Sequence, residues 1–153
     1  MSRRELIRMD AGELAAFLDE QRTLTLATLG RDGWPHLMPL WYAVEAGVPW
    51  AWTYAKSQKV RNLERDPRCT IQVETGTEYG QLRGMMATAQ CELVRDRDAI
   101  ASIGAALAQR YGGGALTDEL RAGMRKQAAK RVGLRFHLRS VVSWDHRKLA
   151  GTY

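Results

Sequence analysis

Between Thr53 and Asn62 the chain reads Thr-Tyr-Ala-Lys-Ser-Gln-Lys-Val-Arg-Asn, a run whose residue types suit the binding of a phosphate monoester. Lys56, Lys59 and Arg61 are cationic donors, and Thr53 and Ser57 carry hydroxyls. A helix predicted to start at Ser57 adds unpaired backbone N–H groups. The same charges can also do no more than solvate a short helix, and a basic run by itself leaves both readings open. Other chemistry-bearing residues are less organised. Tyr79, Gln81 and Arg83 read locally as solvent-side polar residues. The segment Ser143-Trp144-Asp145-His146-Arg147-Lys148-Leu149 is dense in functional groups, or is simply a charged ending. His36 and His146 stand alone and read as structural. His137 lies between Arg135 and Arg139, opposite Leu134, Phe136 and Leu138 on a strand. Nowhere do three ligand-type residues gather, so no metal site is expected, and no Ser-His-Asp arrangement is defined by spacing.

The elements that must position the basic run follow from periodicity. Asp10 and Glu13 have capping-box spacing, and Leu14, Phe17 and Leu18 recur at helical intervals, predicting a helix over 11–21. From Thr23 the period becomes two: a strand to Leu29, a turn at Arg31-Asp32-Gly33, a strand from Pro35 to Ala43, a turn at Glu45-Ala46-Gly47, and a strand from Val48 to Tyr54. These three strands are expected to form an antiparallel meander. A short helix over Ser57 to Glu64 faces Val60 and Leu63 inward and ends at Asp66-Pro67, so the basic run sits where a strand hands over to a helix. Strands Cys69–Glu74 and Leu82–Val94, helices from Asp96 to Tyr111 and from Thr117, and a last strand Val132–Trp144 complete the order. Six strands with peripheral helices predict an α+β protein on a closed or nearly closed antiparallel barrel. No GxGxxG follows a strand, so a Rossmann site is not indicated.

The 153 residues fit one domain, 1–153, with 45% hydrophobic and 26% charged residues, ordinary globular values. A net charge of +6 favours anionic partners without choosing among them. Arg121, Arg125, Lys126, Lys130 and Arg131 are spread over several helix faces with no nucleic-acid motif, so no nucleic-acid partner is expected. No apolar run approaches membrane length and the basic start is amphipathic, so neither a membrane span nor a secretory signal is expected. Cys69 and Cys91 lie in strand-like runs and read as buried free thiols, which fits the cytoplasm.

The pattern Leu26-Ala27-Thr28, Gly33-Trp34-Pro35-His36, Pro39, then Lys56-Ser57-Gln58-Lys59-Val60-Arg61-Asn62-Leu63 and Asp66-Pro67-Arg68 resembles the pyridoxamine-5′-phosphate oxidase-like superfamily. Within it the chain is similar to the flavin/deazaflavin oxidoreductases of actinobacterial type. The resemblance covers the chain in order and implies a split β-barrel homodimer with cofactor sites at the subunit interface. It places Lys59 on the cofactor phosphate with Lys56, Ser57, Thr53 and Asn62 around it, and Pro39, Leu40, Trp41 and Tyr42 beside the ring system. Tyr79 would form a second wall. For Trp41 and Tyr42, barrel packing is the equal alternative.

On this resemblance the cofactor performs the chemistry and the protein supplies orientation, electrostatics and exclusion of water. Reduced coenzyme F420 would pass hydride to an unsaturated small molecule, with a proton from solvent, Tyr42 or His146. FMN is the alternative cofactor. F420 carries an acidic tail beyond its phosphate, and Lys56, Lys59, Arg61, Arg65 and Arg68 favour it. A non-catalytic flavin or deazaflavin carrier or sensor would use the same cradle. The Arg-Leu-x-Pro type of ending found in pyridoxamine-phosphate oxidases is missing, the chain reading Lys148-Leu149-Ala150-Gly151 there; substrate transfer from those enzymes is therefore not implied.

Overall fold

The structure, a computed structural model, describes residues 2–149, so the Ala150-Gly151 ending lies outside it. A one-turn helix α1 (Arg3–Leu6) precedes α2 (Ala11–Glu20), whose Asp10–Glu13 capping box is fully formed. Then come β1 (Thr23–Leu29), β2 (Pro35–Trp41), β3 (Ala43–Glu45), β4 (Val48–Tyr54), α3 (Gln58–Arg65), β5 (Arg68–Thr75), β6 (Arg83–Val94), α4 (Arg97–Gly112), α5 (Asp118–Ala128) and β7 (Arg131–Asp145). The seven strands form one antiparallel sheet in the order β2-β1-β5-β6-β7-β4-β3. Its two edge strands, β2 and β3, are joined through Tyr42 alone, so the sheet curls back on itself as the expected split β-barrel.

Alternation decides which side chains fill the barrel. Leu24 and Leu26 of β1, Ile71 and Val73 of β5, Met85 and Ala87 of β6, and Leu134 and Phe136 of β7 share the inner face and are buried. Phe17 and Leu18 of α2 join the same core. On β4 the small residues Ala51 and Thr53 are likewise buried, while Trp50 and Trp52 pack with Ile100, Ile103 and Leu107 of α4. Gly104 permits that packing, because a Cβ there would lie 2.4 Å from the Trp52 ring.

Two expectations are corrected. There are seven strands rather than six, because the segment from Pro35 to Ala43 breaks at Tyr42. The Tyr42 side chain is fully buried and its hydroxyl donates to the Leu18 carbonyl at 2.6 Å, while its N–H donates to the Tyr111 hydroxyl at 3.0 Å instead of joining a ladder. The meander does not form either: β2 pairs with β1 only, and β4 pairs with β3 and β7. The break at Tyr42 carries the chain from one edge of the sheet to the other. The β3–β4 hairpin turns through Ala46 and Gly47, with φ of 49° and 77°. Among the described residues, no helix is long and apolar enough to cross a membrane.

Candidate functional site

The run from Thr53 to Asn62 bridges the end of β4 and the first turns of α3. Ser57 occupies the N-cap position, yet its hydroxyl makes no capping bond and is buried without a partner. Lys59 is 7% exposed, and its Nζ lies 3.3 Å from Thr53 Oγ1, Thr53 itself being 6% exposed. No carboxylate forms an ion pair with Lys59 among the described residues. Burial holds its ammonium below the ordinary lysine range. A buried cation and an unpartnered hydroxyl at the start of one helix are groups of the kind an anion can satisfy. Lys56 and Arg61 are exposed on either side, and among the described residues no hydrogen bond or ion pair engages their side chains.

Asn62 holds the site together through its side-chain bonds. It is fully buried, its Nδ2 donates to Thr28 Oγ1 at 3.0 Å, and its Oδ1 accepts from Gln58 at 2.9 Å. This bolts α3 to β1 across the barrel mouth. Arg65 donates to the Leu29 carbonyl, and Arg68 makes a bidentate pair with Asp66, whose carboxyl the Arg68 bonds pull down to about 2. Both arginines are exposed, and each already has a protein partner.

Along β2, Pro39 is exposed, Leu40 is half-buried against the core, and Trp41 is 60% exposed with one ring face stacked on Tyr111 at 4.2 Å. Tyr42 is corrected as a ring contact and as a proton donor. It is sealed in the core beneath Arg110, and burial pushes its hydroxyl up to about 12. Tyr79 is exposed and meets the His146 ring edge-on at 4.6 Å, while His146 Nδ1 lies 2.9 Å from the Tyr79 carbonyl. Both sit where β6 begins, whereas the Thr53 end of β4 lies beside β7 residues paired near the end of β6. The 12 residues of β6 separate the two ends by roughly 40 Å of strand. Within one chain, Tyr79 and His146 therefore do not face Lys59.

The dense C-terminal segment turns out to be a fastening. Ser143 Oγ accepts the Met9 N–H, Asp145 N–H donates to the Ile7 carbonyl, and Lys148 bonds Glu13 and the Arg8 carbonyl. One residue read as structural lies by the site: His36 faces inward opposite Thr28 and lines a cavity of about 520 Å³ with Gln58 and Asn62 of α3. Period-two alternation puts His36 opposite Thr28, on the face of Leu24 and Leu26, but only the docking of α3 reveals the cavity.

A sequence description of the pyridoxamine 5′-phosphate oxidase family matches residues 11–145. Among solved structures, a conserved hypothetical protein from Mycobacterium tuberculosis is 43% identical with a TM-score of 0.92, covering 98% of this chain and 93% of its own. An F420 reductase is 24% identical with a TM-score of 0.65, over 82% of this chain and 93% of that one. An FAD-binding protein from Mesorhizobium loti is 22% identical with a TM-score of 0.64, over 88% and 94%. The last two share the fold. No curated protein matches the sequence.

Proposed function

Because the chain belongs to the pyridoxamine 5′-phosphate oxidase family, we propose that it is an oxidoreductase that binds coenzyme F420, with the cofactor phosphate at Lys59, and passes hydride to an unsaturated small molecule. One observation carries the reading: buried Lys59 meets Thr53 Oγ1, Ser57 two residues earlier keeps an unpartnered buried hydroxyl, and among the described residues no carboxylate pairs with Lys59. A phosphate monoester supplies the charge and acceptor oxygens those groups lack. The names of fold relatives, an F420 reductase and an FAD-binding protein, support a flavin-type ligand.

When bound, the deazaflavin supplies hydride chemistry from its ring. The residues of this chain bind and orient. Thr53, Ser57 and Lys59 hold the phosphate, Lys56 and Arg61 add field at its rim, and the Asn62–Thr28 bond keeps α3 at a set distance from β1. The exposed face of Trp41 offers apolar surface for a ring system further along β2. With Tyr42 sealed away, the proton accompanying the hydride comes from solvent or from His146 across the interface.

A homodimer belongs to the same proposal. The outer sheet face exposes Leu37, Met86, Val142 and Trp41 around a groove of about 530 Å³ lined by Ala27, Thr70 and Thr88, an apolar surface of the kind that subunits cover. Tyr79 then meets a ligand on Lys59 only across such an interface. FMN remains the second reading, favoured by one observation: Arg65 and Arg68 already have protein partners.

Fluorescence titration of the purified apoprotein with F420 and with FMN tests the proposal. Lys59→Ala should weaken both by about 10–100-fold, the worth of a charge-assisted hydrogen bond in a dry site. Unchanged affinity for both would remove Lys59 from the site. Tight FMN binding by the wild type with no response to F420 would give the site to FMN.

A further inference from the structure

We propose that the cavity between the β3–β4 hairpin and α4 is a ligand site separate from the phosphate cradle, and that it takes a small amine with an apolar body and one hydroxyl. The cavity, of about 380 Å³, is lined by Val44, Glu45 and Trp50 of the hairpin and by one face of α4. At the volume of a water molecule per atom, it has room for about a dozen non-hydrogen atoms. Trp50 and Thr53 fall on opposite faces of β4, so the cavity lies on the other side of the sheet from the Thr53 hydroxyl that Lys59 meets.

Small side chains make the room. Ala99, Ser102, Ile103 and Ala106 recur at intervals of three and four along α4 and line the cavity from the helix side. From the sheet side Ala43, the cross-strand partner of Trp50, sets a short side chain beside the largest one. The walls are stiff. Asp96 Oδ1 accepts the Ala99 N–H at 2.8 Å, α4 rests directly on the Trp52 ring at Gly104, and the hairpin closes through Ala46 and Gly47 at positive φ.

Three polar groups in the lining select the ligand. Trp50 is 7% exposed, and its Nε1–H is buried without an acceptor. An indole nitrogen only donates, so this group calls for an oxygen. Ser102 Oγ gives its proton to the Asp98 carbonyl at 3.0 Å and keeps its acceptor lone pairs. One ligand hydroxyl answers both, accepting from Trp50 and donating to Ser102. Glu45 is exposed, and among the described residues no hydrogen bond or ion pair engages its carboxylate. At the rim of the cavity it favours an ammonium and disfavours an anion. Between these ends Val44, Ile103 and Ala106 offer apolar contact.

The test follows the assigned indole N–H resonances of the isotope-labelled full chain by NMR, with tyramine, p-cresol and phenethylamine as probes. Tyramine should move the Trp50 indole proton downfield, saturating at about millimolar concentration for a ligand of its size, and leave Trp34 unmoved. Phenethylamine lacks the hydroxyl and should produce no downfield shift. Ala106→Leu fills the cavity from the helix side and should abolish the tyramine response. Glu45→Gln should weaken tyramine about fivefold, the scale of one exposed charge pair, and leave p-cresol, which has no ammonium, unchanged. Glu45 is exposed, so the outcome for Glu45→Gln stands alone whatever Ala106→Leu does to α4. No saturable Trp50 response to tyramine would overturn the site, and undiminished tyramine affinity in Glu45→Gln would overturn the amine. Saturating tyramine should leave the affinities for F420 and FMN unchanged; competition with either would put tyramine in the cofactor site and overturn the proposal.

Discussion

At the scale of single residues, the divide is between side chains that lack partners and side chains that have them. Buried Lys59 has the Thr53 hydroxyl but, among the described residues, no carboxylate, and the buried Ser57 hydroxyl has no partner, which is why they read as a ligand site. Tyr42 has them and reads as core, although its neighbour Trp41 stays exposed. Tyr42→Phe should leave cofactor affinity and turnover unchanged while lowering stability by about 1 kcal/mol, the net worth of one hydrogen bond. The loss is modest because the Leu18 carbonyl keeps its 2.8 Å bond from Arg110. Urea unfolding alongside titration checks it, and lost turnover at unchanged stability would return Tyr42 to the chemistry. The residue types of the cradle were legible from the sequence. The burial of Lys59 was not, because a lysine in a short basic helix is ordinarily solvated.

Elements carry a different lesson. The Asp10–Glu13 box, the β1 limits and the end of α3 before Pro67 were legible, since each rests on contacts a few residues apart. The crossing at Tyr42 was not, because what breaks the strand is a hydroxyl reaching Leu18, 24 residues away. The seat of α4 on β4 is equally non-local. Gly104→Ala should destabilise by about 1–3 kcal/mol, the cost of overpacking against the Trp52 ring, even though alanine favours the helix by about 1 kcal/mol. Gly123→Ala on α5 is the control. Nothing lies within 4 Å of its Cβ position, so only the propensity gain remains. Paired thermal melts check the contrast, and equal shifts in the two variants would mean that α4 yields.

For the whole molecule, two expectations concern how the barrel is held and what covers it. Asp145 ties β7 to the N-terminal segment; its side chain is 8% exposed, and the Arg147 bonds hold its carboxyl below the usual carboxylate range. A carboxyl whose folded pKa is depressed contributes stability that is complete above its unfolded pKa of about 4 and is lost as pH falls through the folded value. Acid unfolding should therefore gain from this pair below about pH 4, and Asp145→Asn should flatten that part of the stability profile. The exposed Asp66–Arg68 pair should add little despite its lower carboxyl. Sedimentation at micromolar concentration should give about twice the 17.2 kDa chain mass. Met86→Glu on the outer face should shift it to monomer and weaken cofactor binding together; a monomeric wild type with full affinity would remove the dimer from the proposal.

By itself the sequence determined the Asp10 cap, six of the strand segments, the barrel class and the residue types gathered from Thr53 to Lys59, because propensity, alternation and capping act over a few residues. Tertiary structure alone decided which of those groups face an open site. Arg65 was turned to the Leu29 carbonyl of β1, Tyr42 was drawn into the core, and Tyr79 was set at the far end of β6. In the other direction, docking α3 across the barrel mouth buried Lys59 and brought Gln58 and Asn62 to the cavity that His36 lines. Burial and partner choice depend on contacts between distant segments, and no local pattern encodes them.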